Sequence, residues 1–263
     1  MPNFAANLNF LFQELPLLER FAAAAGAGFR GVELLFPYDQ PAAAIAEQLE
    51  RHGLELALLN APTGDRPGDR GVAAQPGREA EFMAGLERAL AYAAATRCRR
   101  IHVLSGLWPA ERPKAEGDAV LVANLRRAAA LAAAQDVRLL IEPINPGDLA
   151  GYFLNTPSHA VSILDRVAHG GVELQLDLYH CQIVAGDLAN HLRRLFGRYG
   201  HIQIAGVPER HEPDRGEVNY PYLFELLDAL GYQGWVGCEY RPAKGTLAGL
   251  GWARRWGIGA SGG

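Results

Sequence analysis

Four apolar runs in the C-terminal half of the chain end on, or enclose, an oxygen donor of the kind that binds metal: RLLIE at Glu142, ELQLD at Asp177, HIQIA around Gln203 and WVGCE at Glu239. A carboxylate at the buried end of a strand is costly unless a cation or a proton compensates it. Taken singly, each acid could pair with an arginine or cap a loop; recurrence on four successive runs points instead to one shared cation. An all-oxygen set, without Cys and with no required His, favours a hard divalent ion, Mg2+ or Mn2+, over Zn2+.

The elements that must position these donors can be read from periodicity. Short β-like runs alternate with longer helical patterns. Strands are predicted over Phe4 to Leu8, Gly31 to Leu35, Leu54 to Asn60, Arg100 to Ser105, Val137 to Glu142, Val172 to Asp177, His201 to Ala205 and Trp235 to Glu239. Between them lie helical patterns such as LPLLERFAAAAG, PAAAIAEQLERHG, REAEFMAGLERALAYAAA, AVLVANLRRAAALAAAQ, PSHAVSILDRVA and PYLFELLDALG. Pro157, Pro221, Gly53 and Gly231 stand where helices start or stop.

Eight β-then-α units in a chain of this length predict an α/β fold, a single (β/α)8 TIM barrel. Links from helix to strand are brief, whereas the segments after strands three, four, five and seven are long and rich in Pro and Gly. Examples are PTGDRPGDRGVAAQPG from Pro62, GLWPAERPKAEG from Gly106 and GVPERHEPDRGEVN from Gly206. Elaboration of one rim marks the functional face. Side chains alternate along a strand, so Glu142 shares a face with Leu140 and Asp177 with Gln175. If those faces point inward, strands five to eight aim three carboxylates and an amide at one spot.

The 263 residues, 49% hydrophobic and 21% charged, suffice for a substantial core. No composition break divides them, so residues 1–257 are expected to form one domain. Residues 258–263, in the closing GIGASGG, are expected to be a flexible tail. The net charge of -4, from 29 acidic against 25 basic residues, supplies no basic footprint, so nucleic acid is not an expected partner. The opening MPNFAANLNFLFQELPLLERF has no basic n-region and meets Glu14 and Glu19 before any long apolar stretch, which predicts a cytoplasmic protein without a membrane segment. Cys98, Cys181 and Cys238 lack CxxC spacing and are expected to be reduced, buried thiols.

Longer stretches resemble the xylose isomerase-like TIM barrels and, within them, the hydroxypyruvate isomerase group. They are FAANLNFLF at Phe4, GVELLFPYD at Gly31, PGRE at Pro76, LLIEPIN at Leu139, LDLYH at Leu176, HIQIAGVPERHEPDRGEVNYPYLF at His201 and GWVGCEYRP at Gly234. The resemblance places the metal ligands on Glu142, Asp177, Gln203 and Glu239, and the acid/base pair on Glu142 and Glu239. The similar epimerases typically carry His where this chain has Gln203, which weighs against sugar epimerisation. His180 matches a substrate-contacting histidine, with a loop or helix-start histidine bonded to the backbone as the alternative. Arg210 matches an arginine suited to an anionic substrate, or is a solvated loop cation.

Asn145 could hydrogen-bond a substrate hydroxyl or shape the turn before Pro146. Glu33, Asn60 and Ser105 end earlier strands and are read as structural, as are His102 and His201 inside strand runs. Trp108 either walls the pocket or anchors its loop, and Arg66 and Arg70 belong to a lid or to plain surface. The resemblance implies an aldose-ketose type isomerase for a small hydroxy-oxo acid, first hydroxypyruvate, yielding tartronate semialdehyde by proton transfer through an enediolate. A 2-oxo-tetronate one carbon longer, a ketose epimerase, a hydride shift and a non-catalytic sugar-acid binding barrel are the alternatives, and a homo-oligomer is compatible with all.

Overall fold

The computed structural model describes residues 1–259. Its strands are β1 (Asn3–Asn7), β2 (Gly31–Leu34), β3 (Glu55–Asn60), β4 (Arg100–His102), β5 (Arg138–Ile141), β6 (Val172–Asp177), β7 (Tyr199–Ile204) and β8 (Trp235–Cys238). All pair in parallel in sequence order, and β1 closes on β8. The helices are α1 (Arg20–Gly26), α2 (Ala42–His52), α3 (Glu79–Thr96), α4 (Lys114–Ala133), α5 (Pro157–Val167), α6 (Leu178–Val184), α7 (Leu188–Arg194), α8 (Tyr220–Leu230) and α9 (Thr246–Gly249). The α/β, (β/α)8 expectation is met.

Local chemistry sets the helix ends. Thr156 caps α5 by accepting from the His159 N–H, with Pro157 in the first turn, and Asn219 caps α8 through the Tyr222 N–H. Gly53 and Gly231 end α2 and α8 in the left-handed conformation. The six helical patterns correspond to α1 to α5 and α8; α6 and α7 complete the connection from β6 to β7. Strand β4 stops three residues short of its predicted end, because Ser105 forms an antiparallel bridge with Gly71 in the preceding loop.

Strand residues facing the helices, such as Leu139, Ile141, Leu174, Leu176, Ile202 and Val236, join the helices' apolar faces in one core. The inward faces are far more polar: Asn7, Glu33, Asn60, His102, Glu142, Gln175, Asp177, His201, Gln203 and Glu239 are all buried there. Such a lining is tolerated only when each group finds a partner, an ion or a ligand. The three cysteines are free and buried. Ile258 is buried and the Gly259 N–H donates to the Ala27 carbonyl, so these two residues of the expected tail pack against the barrel; 260–263 lie outside the described residues. No described helix is long and apolar enough to cross a membrane.

Candidate active site

Glu142 follows the last residue of β5, Asp177 ends β6 and Glu239 follows β8, so the strand ladder itself delivers three carboxylates to the C-terminal mouth. Glu142 Oε1 and Asp177 Oδ2 are buried without a hydrogen-bond partner. The other Asp177 oxygen accepts from the Tyr179 N–H at 2.8 Å and caps α6. Glu239 is held more tightly. Its Oε1 receives Arg210 Nη2 at 2.5 Å, and its Oε2 accepts from Gln203 Nε2 at 2.6 Å and Asn7 Nδ2 at 3.1 Å.

Burial, reinforced by Glu239 and Asp177, pushes the Glu142 carboxyl well above the usual range. Burial likewise lifts Asp177 against the pull of Arg210. Glu239 is pushed up to about 8, burial again outweighing Arg210. A carboxyl with a raised folded-state pKa contributes stability that is fully present below its unfolded value and lost as pH rises through the folded one. For Glu239 that window runs from 4.5 to about 8. In metal-free protein, Glu239→Gln should therefore gain stability relative to wild type as pH rises through this window. Thermal melts in chelator check this; a difference that is flat or shrinking with pH contradicts it.

Arg210 lies in the 205–219 loop at φ 58, a left-handed conformation unusual for a side-chain-bearing residue. The loop is compact. The Arg210 N–H donates to Gly206 O, the Gly206 N–H to His211 O, and the Arg241 N–H to Arg210 O at 2.7 Å, tying it to the end of β8. A side chain at Gly206 would run into the carbonyls of Glu212 and Arg215, both 2.6 Å from where its Cβ would stand. The guanidinium sits between the Phe10 and Tyr179 rings, 4.9 Å from each centroid, with Nη1 on Asp148 at 2.9 Å and Asp177 Oδ2 3.8 Å from Nη2. It is a buried cation, not a solvated loop residue.

His180, in α6, points its Nε2 at Asp177 Oδ2 from 3.6 Å. Asn145 Oδ1 accepts the Asp148 N–H at 2.9 Å, which turns its Nδ2 toward His180 Nδ1 at 2.7 Å. His180 Nδ1 is thus the acceptor, and the ring proton lies on Nε2. Burial and Arg210 push its pKa down to about 3, so the ring is neutral near pH 7. Geometrically, Glu142, Asp177 and His180 can each offer one atom within 4.8 Å of the others. The tautomer makes His180 a donor to an oxygen rather than a metal ligand.

A cation fits the donor set: the orphaned Glu142 and Asp177 oxygens lack what a cation would supply. Gln203 faces the same mouth, but its Oε1 accepts from Gln175 Nε2 at 2.6 Å and its Nε2 spans Glu239 and Glu33. Trp108 is buried, donates to Arg112 O and lies 5.1 Å from Phe153, the loop-anchor alternative. Arg66 and Arg70 are exposed on a loop pinned by Arg78, which binds Asp69 and Glu81. Ser105 accepts from the Leu154 N–H, and Asn60 Oδ1 is buried without a partner. Glu33 and His201, read along the chain as structural, meet beneath the site at 2.5 Å, and Asn7 and Asp148 join the network without having been singled out. Asn7, which ends β1, carried a signal like that of Glu142, whereas Glu33 lies inside its apolar run.

A closed parallel barrel with carboxylates at its C-terminal mouth defines the class, and the chain belongs to the xylose isomerase-like TIM barrel family, whose model matches residues 21–256. It stands among that family's isomerases. It is 55% identical over 255 residues to the 2-oxo-tetronate isomerase of Cupriavidus necator, covering 97% of this chain and 98% of that one. To the hydroxypyruvate isomerase of Escherichia coli it is 44% identical over 253 residues, covering 96% and 98%. A crystal structure described as AP endonuclease, family 2, from Brucella melitensis matches with a TM-score of 0.95 at 47% identity, covering 97% and 99%.

Proposed function

We propose that the protein is a metal-assisted isomerase that moves the carbonyl of a small 2-oxo-3-hydroxy acid from C2 to C3. The observation that carries this is the pair of raised, buried carboxyls, Glu142 and Glu239, delivered by β5 and β8 to one mouth. One takes the C3 proton, leaving the electron pair in an enediolate, and the same group or its partner returns a proton to C2. The C2 oxygen gains the proton that the C3 hydroxyl gives up, so the product is an isomer and no redox partner is needed.

Glu142, Asp177, Gln203 and Glu239 would hold a divalent cation, Mg2+ or Mn2+, which supplies Lewis acidity at the substrate carbonyl and lets the glutamates ionise. Gln203 would have to turn its amide oxygen from Gln175 to take part. His180 offers its Nε2 proton to a substrate oxygen, with Asn145 fixing the tautomer. Arg210 spends one N–H of each terminal nitrogen on Glu239 and Asp148, and the remaining donors hold the substrate carboxylate.

Hydroxypyruvate and a 2-oxo-tetronate share the same carboxylate, carbonyl and hydroxyl head and differ at C3 in bearing hydrogen or hydroxymethyl. Both names occur among the full-length relatives, and the 55% identity to the tetronate enzyme puts the four-carbon acid first. The deciding experiment is a substrate panel of 2-oxo-tetronates, hydroxypyruvate and free ketoses with Mg2+, Mn2+ or EDTA. The expected result is metal-dependent turnover, highest on the tetronate; turnover of neither acid with either metal sinks the proposal.

A further inference from the structure

Beneath the mouth a fourth buried carboxylate, Glu33 of β2, reaches across the barrel interior to β7. Its Oε1 meets His201 Nε2 at 2.5 Å, and its Oε2 accepts from Asn7 Nδ2 at 3.0 Å and Gln203 Nε2 at 2.9 Å. The same two amide groups donate to Glu239 Oε2. Two NH2 groups therefore bridge two carboxylates, one hydrogen to each. Without a bound cation neither amide can turn without loss, because Asn7 Oδ1 accepts from the Asn9 N–H at 3.0 Å and Gln203 Oε1 from Gln175 Nε2, a bond the proposed cation would have to replace. A flipped amide would also set its oxygen against two carboxylates.

The crossing depends on Gly237. It lies on β8 between β1 and β7, paired with Ala5 and Gln203, and a Cβ there would stand 2.5 Å from the Glu33 carboxyl carbon. Only a residue without a side chain leaves room for Glu33 to reach His201 and Gln203. At Glu142, by contrast, Oε1 is unpartnered.

We infer that Glu33 is a positioning residue: held by His201, it fixes the Asn7 and Gln203 amides, and these set where Glu239 stands in the isomerase site proposed above. The role rests on that reading for its effect on turnover but not for its effect on geometry. Without the Glu33 acceptor, one hydrogen on each amide is left buried and unpaired, and each amide is held against Glu239 only through its oxygen, by the Asn9 N–H or by Gln175 Nε2. A displacement of about 1 Å at a reacting group costs on the order of 100-fold in rate.

The test compares kcat, KM and crystal structures of wild type, Glu33→Ala and Glu33→Gln. Glu33→Ala should lower kcat about 100-fold with KM within about threefold, and its crystal structure should show Glu239 out of reach of Asn7. Glu33→Gln keeps an amide oxygen for Asn7 and Gln203 and places its NH2 against His201 Nε2, which accepts once the ring proton moves to Nδ1, so it should recover kcat to within about fivefold of wild type. If Glu33→Ala does not fold, Gly237→Ala displaces the Glu33 carboxyl while keeping every polar group and should show the same shift of Glu239. Glu239 unmoved in the variant crystal, or kcat within threefold of wild type in folded Glu33→Ala, overturns the inference. Wild type inactive on both oxo acids would refute the proposed function, and the crystal comparison would still decide the positioning role.

Discussion

Glu142→Gln should lower kcat roughly 1000-fold on whichever oxo acid the enzyme turns over, without weakening the fold. The amide keeps the shape of the side chain but cannot accept the proton of a carbon acid. Glu142 Oε1 has no internal partner, so the substitution breaks no hydrogen bond on that side. Its carboxyl is already driven toward the neutral form by burial, Glu239 and Asp177. In metal-free protein the variant should therefore melt at or above wild type, more clearly at high pH where the native carboxylate is forced to ionise. The two readouts move in opposite directions, which separates a catalytic group from a structural one. Turnover can be followed by the position of the carbonyl in 13C spectra, and deuterium entering the product from D2O supports proton transfer. A Glu142→Gln protein that retains more than a tenth of wild-type kcat sinks the acid/base assignment. A binding barrel without catalysis would lose little ligand affinity on the same change.

Arg210→Ala should be the most destabilising single change at the mouth, costing about 3–5 kcal/mol once the pH exceeds about 8, where Glu239 ionises beside it. The guanidinium is the cation between Glu239 at 2.5 Å, Asp148 at 2.9 Å and Asp177 at 3.8 Å, and it fills the space between Phe10 and Tyr179. Removing it leaves buried carboxylates facing each other and a gap between two rings. Because their ionisation carries the cost, the deficit should deepen as pH rises and shrink in acid, where the carboxyls protonate. Arg210→Lys should recover only part of the loss, since an ammonium cannot bind Glu239 and Asp148 as a fork or stack between aromatic faces. The KM for the oxo acid should rise at the same time, as the remaining guanidinium donors are lost to the substrate carboxylate. Denaturant melts across pH and steady-state kinetics check both; a stability change below 1 kcal/mol with unaltered KM contradicts the assignment.

Much of this was readable along the chain because it is local. An apolar run closing on Glu142 or Asp177 fixes both a strand and the kind of atom at its end. Thr156 before Pro157 starts α5, and Gly231 stops α8. The eight-fold alternation and the long loops on one rim then give the barrel and its functional face. Glu33 is read as structural along the chain and Asn7 is not singled out, because nothing local distinguishes a carboxylate that meets a ligand from one that meets a histidine 168 residues away. Trp108, Arg66 and Arg70 show the converse: their residue types suit a pocket, and their surroundings make an anchor and an exposed surface.

By itself the sequence determined the strands, the barrel and the set of donors, since periodicity and residue type act over a few neighbours. Closure of the barrel decided which donors are already spent. It joins Asn7 to Glu239 across 232 residues, brings Arg210 onto Glu239, turns the Gln203 oxygen to Gln175 and leaves Glu142 Oε1 and Asp177 Oδ2 without partners. It also settles the tautomer of His180 through Asn145 and Asp148. The reason is physical: a hydrogen bond depends on a few tenths of an ångström and on direction, and for groups on different strands both are fixed only when β1 meets β8.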